Sequence, residues 1–211
     1  MSLPATSAPS YSQRRIGTLN ALRLPLGLSV DELLSLAQRA DGLYRVAKSI
    51  AKPDGSIRNT YDALAPLKEI HRRIKSQILD HVNYPAYLTG SIKGSDYKVN
   101  AALHTNARIV INEDISGFFP STSTERIFNI WYGLFGFSQE VSQCLTQLTT
   151  RQGELPQGAI TSSFLANLVF WQDEPTLQEK FAAQGLVYSR YVDDIAVSSK
   201  AFLTDQEKSE V

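Results

Sequence analysis

Apolar side chains recur at helical spacing in some stretches of the chain and gather into short β-branched runs in others. From Val30 to Ala40, the positions of Leu33, Leu34 and Ala37 behind Ser29 predict a helix with a serine cap. Leu67, Ile70, Ile74 and Ile78 repeat with the same period after Pro66, a residue suited to a first helical turn. Lys68, Arg72 and Lys75 fall on another face of that helix and make its outside cationic. Thr122 and Glu125 have capping-box spacing ahead of Ile127, Ile130, Trp131, Leu134 and Phe135. A further helix is expected around Val141, Leu145 and Leu148 after Gly136, and Thr161 or Ser162 can cap one running through Leu165, Leu168 and Val169.

The strand signals lie between and after these helices. Lys52-Pro-Asp-Gly-Ser-Ile-Arg58 has the Pro and Asp-Gly marks of a hairpin turn, with a cation at each end. Arg108 to Ile111 is a β-branched run that leads into Glu113 and Asp114. Leu186 to Val192 and Ile195 to Ser199 are joined almost without a spacer, which places Asp193 and Asp194 at the tip of a tight hairpin. Leu155-Pro-Gln-Gly158 is a loop, because its Pro and Gly stop regular structure. Helices mixed with hairpins predict an α+β fold, an antiparallel sheet packed on helices. The opening stretch through Arg15, rich in Ser, Pro and Ala, is expected to be a mobile tail and lacks the pattern of a secretory signal. No apolar run approaches the ~20 residues that cross a bilayer as a helix, so no membrane partner is expected.

Composition adds bounds. A chain of 211 residues with 43% hydrophobic and 20% charged side chains can bury a sizeable core. The single cysteine, Cys144, excludes an intrachain disulfide and a Cys-rich zinc site; it fits a reducing cytoplasm and reads as a small buried apolar residue. Lys and Arg number 21 and Asp and Glu 21, so the net charge is +0 and charge placement matters more than its total. Arg45, Lys48, Lys52, Arg58, Lys68, Arg72, Arg73 and Lys75 gather between Tyr44 and Lys75, against Asp54, Asp62 and Glu69.

An Asp-Asp pair alone says little, since turn aspartates commonly bond nearby backbone. Its setting says more: Asp193 and Asp194 follow Tyr191-Val192, and Asp114 ends an earlier strand that could lie beside the hairpin. Three acids at one sheet edge repel one another unless cations neutralise them. Phosphoryl or nucleotidyl transfer uses such a cluster, because two Mg²⁺ ions held ~4 Å apart by carboxylates stabilise the attacking and leaving oxygens of an in-line displacement.

Three segments resemble successive motifs of reverse transcriptases: Asp114-Ile-Ser-Gly-Phe-Phe-Pro-Ser121, Leu155-Pro-Gln-Gly-Ala-Ile-Thr-Ser162 with Leu165-Ala-Asn167, and Tyr191-Val-Asp-Asp194. The region Lys52 to Ile78 is similar to the fingers of the group II intron and retron branches, and Asn100-Ala-Ala-Leu-His104 resembles a motif that sets retron enzymes apart. The resemblance implies a right-hand polymerase fold: a flexible tail over 1–20, N-terminal helices and fingers over 21–105, and a palm over 106–211 that stops before the thumb. It implies an RNA-directed DNA polymerase with Asp114, Asp193 and Asp194 as catalytic metal ligands and the carbonyl of Ile115 as an extra one. Two Mg²⁺ ions, with Mn²⁺ as the alternative, would be the cofactors. Lys52 and Arg58 would grip the nucleotide triphosphate, Gln157 would touch the nucleotide, and Gly158 would admit the primer-template closely. Phe119 would be the steric gate against a 2′-hydroxyl, with Phe118 in the core.

Lys68, Arg72, Lys75, Asn100 and His104 are the candidate RNA contacts, with a packing or hydrogen-bonding role open for the last two. Partners implied are a structured noncoding RNA as template and primer, deoxynucleoside triphosphates and a candidate effector protein, in cytoplasmic defence against phage. Ile160, Ser163 and His71 depart from the family pattern. Two other readings stay open: an inert RNA-binding or interaction module on the same fold, to which a palm without a thumb would point, and a group II intron protein.

Overall fold

The computed structural model describes residues 7–53 and 55–210. In chain order the elements are β1 (Ser10–Tyr11), α1 (Leu19–Leu26), α2 (Val30–Arg39), β2 (Tyr44–Ala51), β3 (Ile57–Ala63), α3 (Leu67–Gln77) and β4 (Val82–Asn83). They continue as α4 (Tyr97–Leu103), β5 (Ile109–Asp114), α5 (Phe118–Ser121), α6 (Thr124–Asn129), α7 (Gln139–Thr149) and α8 (Ser162–Ala166). Last come α9 (Glu174–Ala183), β6 (Val187–Tyr191), β7 (Asp194–Ser199) and α10 (Asp205–Glu210). They form two units, each built from separated stretches of chain: a helical unit of residues 10–83 and 119–169, and a sheet unit of residues 7–9, 84–118 and 170–210.

This division differs from the contiguous one expected at residue 105. The reason is the apolar face of α7, whose Val141, Leu145 and Leu148 are fully buried. That face packs on α1, α2 and α3, so the segment after residue 118 returns to the N-terminal helices. Helix α2 starts as its sequence predicts. Ser29 Oγ accepts from the Glu32 amide at 3.3 Å, and the Glu32 carboxylate accepts from the Ser29 amide at 2.8 Å. Ser29→Ala is expected to cost about 1 kcal/mol of stability, read as a lowered denaturant midpoint with unchanged slope.

Several local expectations are corrected. Helix α6 is capped by Ser123, which accepts from the Arg126 amide, and not by the Thr122 to Glu125 box. Thr122 is buried. The chain then makes a π-helical turn over Ile130–Leu134, closed by the Phe135 amide on the Ile130 carbonyl at 3.1 Å. Helix α8 is short, and Thr161 stands before it without a side-chain cap. Helix α1, which carries Pro25 inside it, was not legible from periodicity.

The expected mobile tail is shorter than residues 1–20. Ser10 and Tyr11 pair with Asn83 and Val82, and the Tyr11 ring sits 4.7 Å from Phe135 and 5.5 Å from Phe137 between centroids. Aromatic area removed from water holds this strand down. Residues 1–6 of that tail, and Asp54 of the expected turn, lie outside the described residues.

β2 and β3 form the expected basic hairpin, antiparallel from Tyr44 opposite Ala63 to Ala51 opposite Ile57. The sheet unit contains a three-stranded antiparallel sheet in the order β5-β7-β6. Its core gathers Tyr87, Leu88, Phe181, Leu186, Tyr188 and Val197. Among the described residues, no helix is long and apolar enough to cross a membrane.

Candidate active site

Strand register brings two of the three aspartates together. Asp114 is the last residue of β5, Asp194 the first of β7, and the two are direct antiparallel partners. Partnered positions carry side chains on the same face of a sheet, with Cβ atoms ~4.5–5.5 Å apart. Asp193 lies beside Asp194 in the turn that joins β6 to β7, since Tyr191 pairs with Asp194. The amide of Ile115 donates to the Asp193 carbonyl at 3.1 Å and ties the end of β5 to that turn.

Burial and like charge act together at this edge. Burial first, then the charges of Asp193 and Asp114, hold the Asp194 carboxyl above its ordinary pKa. None of the ion pairs found among the described residues involves the three aspartates.

The donor set suits a hard divalent cation in kind, carboxylate oxygens gathered at an edge of like charge. Among the described residues no three or more His, Cys, Asp or Glu side chains group closely enough to hold one ion. The Ile115 carbonyl accepts from the Phe118 amide at 3.2 Å, which uses one of its two lone pairs.

The hairpin tip is held in an uncommon conformation. Val192 has φ of 62°, the left-handed region, which a β-branched side chain rarely enters. Gly90 passes directly against it: a Cβ there would lie 2.6 Å from both the Val192 amide nitrogen and Cγ2, so only glycine fits. Arg190, fully buried, reaches the tip from the other direction and donates from Nη1 to the Val192 carbonyl at 2.8 Å. Its other end is held by Glu174, the first residue of α9, with Nη2 donating to Oε2 at 2.7 Å and Nε to Oε1.

Tyr188 donates its hydroxyl to Glu174 Oε1 at 2.7 Å, and the Phe170 ring lies 5.3 Å from the guanidinium. Burial, then the Glu174 charge, pushes the Tyr188 hydroxyl far above its usual range, so it stays a donor. Neither Glu174 nor Arg190 was singled out from sequence. The one signal was an arginine inside a strand run expected to be apolar.

Asn100 and His104, both half-buried, make hydrogen bonds within the sheet unit. Asn100 Oδ1 accepts from Thr89 at 2.8 Å and from Ser189 at 2.7 Å. His104 Nδ1 and Nε2 bond the hydroxyls of Ser198 and Ser189, each at 2.7 Å. Asn100 thus ties α4 to β6, and His104, the residue that closes α4, reaches both β6 and β7, the strands of the aspartate hairpin. Desolvation lowers the His104 pKa, which favours the neutral ring in this network.

The remaining candidates belong to the helical unit. Arg58 and Gln157 meet, Nε donating to Oε1 at 2.9 Å. Lys52 is exposed at the start of the hairpin turn, its amide on the Ser56 carbonyl at 2.8 Å. Gly158, at φ of 99°, admits β3: a Cβ would lie 3.1 Å from the Tyr61 carbonyl, beside the Tyr61 amide bond to Gln157 at 2.7 Å. The left-handed φ and the close protein backbone account for glycine at this position. Phe119 is buried at 8% exposure and Phe118 at 3%; Phe118 stacks on Phe170 with centroids 5.9 Å apart.

The cationic face of α3 is less free than its sequence suggested. Lys68 pairs with Asp62 at 2.8 Å, Arg72 with Glu69 at 3.1 Å and Lys75 with Asp80 at 2.9 Å. These carboxylates lie in α3 or close to its ends, so much of the positive charge is locally compensated. Such exposed pairs are weak, because water screens them and holding two long side chains in one geometry costs entropy.

An antiparallel sheet edge that carries partnered carboxylates, beside mixed helices, is an arrangement that two-metal nucleotidyl transfer can use. Residues 50–208 match the family described as reverse transcriptase (RNA-dependent DNA polymerase), and the chain belongs to that family. It is 36% identical over 203 residues to the retron Se72 reverse transcriptase of Salmonella heidelberg, covering 96% of this chain and 54% of that protein. It is 32% identical over 202 residues to the Escherichia coli retron Ec48 reverse transcriptase, covering 90% of this chain and 50% of the relative. The retron Ec86 reverse transcriptase of the same species is 31% identical over 175 residues, covering 82% and 54%. The chain spans about half the length of these curated relatives. Its α+β architecture agrees with the right-hand polymerase fold expected of the family.

Proposed function

We propose that the chain is the fingers and palm portion of a retron-type RNA-directed DNA polymerase, with the β5-β7-β6 sheet as the palm and the β2-β3 hairpin in the fingers. The observation that carries this is the register pairing of Asp114 with Asp194, Asp193 alongside. Asp114, Asp193 and Asp194 hold the divalent ions, with the second lone pair of the Ile115 carbonyl as a further donor. Bound there, two Mg²⁺ ions would supply Lewis-acid stabilisation of the attacking and leaving oxygens.

In the reaction the primer 3′-oxygen forms a bond to the α-phosphorus of a deoxynucleoside triphosphate. The bond to pyrophosphate breaks, and the hydroxyl proton passes to solvent. Lys52 and Arg58 bind triphosphate oxygens by charge-assisted hydrogen bonds. The Arg58 contact to Gln157 supports this, because it orients the guanidinium and the amide together. Phe119, held by burial, closes the space that a 2′-hydroxyl would need. A structured noncoding RNA serves as template and primer, and the setting is cytoplasmic defence against phage with an associated effector.

The test is primer extension on an RNA template by the product of the complete reading frame. Synthesis should require a divalent ion, stop with chelator and resume when Mg²⁺ is restored. Binding of RNA without synthesis under any divalent ion would favour the inert module instead. Phe119→Ala should raise ribonucleotide use relative to deoxynucleotide use roughly tenfold or more, because selectivity here comes from a built-in clash.

A further inference from the structure

The buried Glu174–Arg190 pair has no part in the proposed chemistry, and its placement is specific. The Arg190 guanidinium pairs bidentately with Glu174 and places a donor on the Val192 carbonyl. That carbonyl belongs to the residue with left-handed φ immediately before Asp193. The Arg190 backbone is itself anchored: its amide donates to the Tyr87 carbonyl at 2.9 Å, and its carbonyl accepts from the Thr89 amide at 3.0 Å. Gly90, the next residue of that segment, is the one that abuts Val192. The tip is therefore gripped by the 87–90 segment on one side and by an arginine fixed to the start of α9 on the other.

We propose that Arg190, held by Glu174, is a positioning residue: it maintains the strained Val192 turn and thereby sets the direction in which Asp193 and Asp194 present their carboxylates. This rests on the reading of those aspartates as the metal site. A left-handed valine persists only when its surroundings over-determine it. Without the donor on its carbonyl, the peptide between Val192 and Asp193 can rotate toward an ordinary conformation. Asp193 follows directly, so its carboxylate turns with that peptide. A lysine at 190 keeps a charge opposite Glu174 but lacks the planar fork that serves two acceptors at fixed angles.

The experiment compares Arg190→Lys, Val192→Gly, the double variant and Asp193→Asn in the product of the complete reading frame. Arg190→Lys is expected to lower kcat roughly ten- to a hundredfold, with KM for the deoxynucleotide nearly unchanged. It should also weaken Mn²⁺ binding in the absence of substrate, followed by the free-ion resonance signal, and speed amide exchange over residues 191–194. Glycine adopts the left-handed turn without strain, so adding Val192→Gly should restore most of the lost kcat and Mn²⁺ affinity. Rates and Mn²⁺ affinity are compared at a temperature where the melting curves show every variant fully folded, so a gain of stability from the glycine cannot produce the rescue.

Wild-type kcat and Mn²⁺ affinity in Arg190→Lys, or a loss that Val192→Gly does not restore, overturns the proposal. If Arg190→Lys does not fold, Glu174→Gln, which keeps an acceptor for the guanidinium, is read by the same criteria. The outcomes separate the two levels. An active Asp193→Asn removes the site reading itself, whereas an inactive Asp193→Asn beside a fully active Arg190→Lys removes only the positioning role.

Discussion

Asp193→Asn is expected to reduce primer extension about a thousandfold or more while leaving the protein folded. Asparagine is nearly isosteric with aspartate and can still accept through its amide oxygen, but it brings no negative charge to a divalent ion. Metal stabilisation of a transition state is worth several kcal/mol, and each ~1.4 kcal/mol is a factor of ten in rate. The fold should not suffer. The Asp193 group engaged by Ile115 is its backbone carbonyl, which the substitution retains.

Removing this charge also relieves Asp194, whose carboxyl is raised by burial and by the charges of Asp193 and Asp114. The thermal midpoint should therefore be unchanged or slightly higher. Initial rates at saturating deoxynucleotide, beside a melting curve, measure both halves. Activity equal to wild type would remove Asp193 from the metal site.

Glu174→Ala is expected to cost about 3–5 kcal/mol of unfolding free energy, a large share of the ~5–15 kcal/mol that holds a typical domain. Glu174 is 4% exposed and Arg190 0%. Taking away the carboxylate leaves the guanidinium in the interior without its counter-charge, and it also removes the acceptor of the Tyr188 hydroxyl. The charge cannot be shed, because arginine stays protonated; burial opposes that charge and the Glu174 contact outweighs it. Arg190→Met in the same background should recover part of the loss, since an apolar side chain needs no partner. Denaturant titrations of the two single variants and the double variant test this, and an additive double would show that the pair is not coupled.

These two residues mark the boundary of what sequence reading reaches. Asp193 was legible because a tight hairpin between two strand runs has only one place for its connecting residues. Glu174 and Arg190 were not legible as a pair. They are 16 positions apart in sequence, on a helix and a strand, and no periodicity relates them. The same limit applies to Asn100 and His104. Their common face on a helix was expected, yet the Ser189 and Ser198 hydroxyls that occupy them come from strands more than 80 positions onward. The capping error at Thr122 has a local cause: Ser123 is an equally good cap one residue later, and only the buried position of Thr122 decides between them.

By itself, the amino-acid sequence determined what short-range physics controls. Hydrophobic period marked α2, α3 and α7, turn chemistry marked the β2-β3 and β6-β7 hairpins, and the motif residues pointed to a polymerase with three aspartates. The tertiary structure decided the partners. It set Asp114 opposite Asp194, compensated the cations of α3 with nearby carboxylates, and returned residues 119–169 to the N-terminal helices. It also placed a buried ion pair behind a strained valine. The physical reason is range. Helix and turn preferences act over a few residues, whereas the burial of an arginine or the opposition of two carboxylates depends on which distant segments share a core.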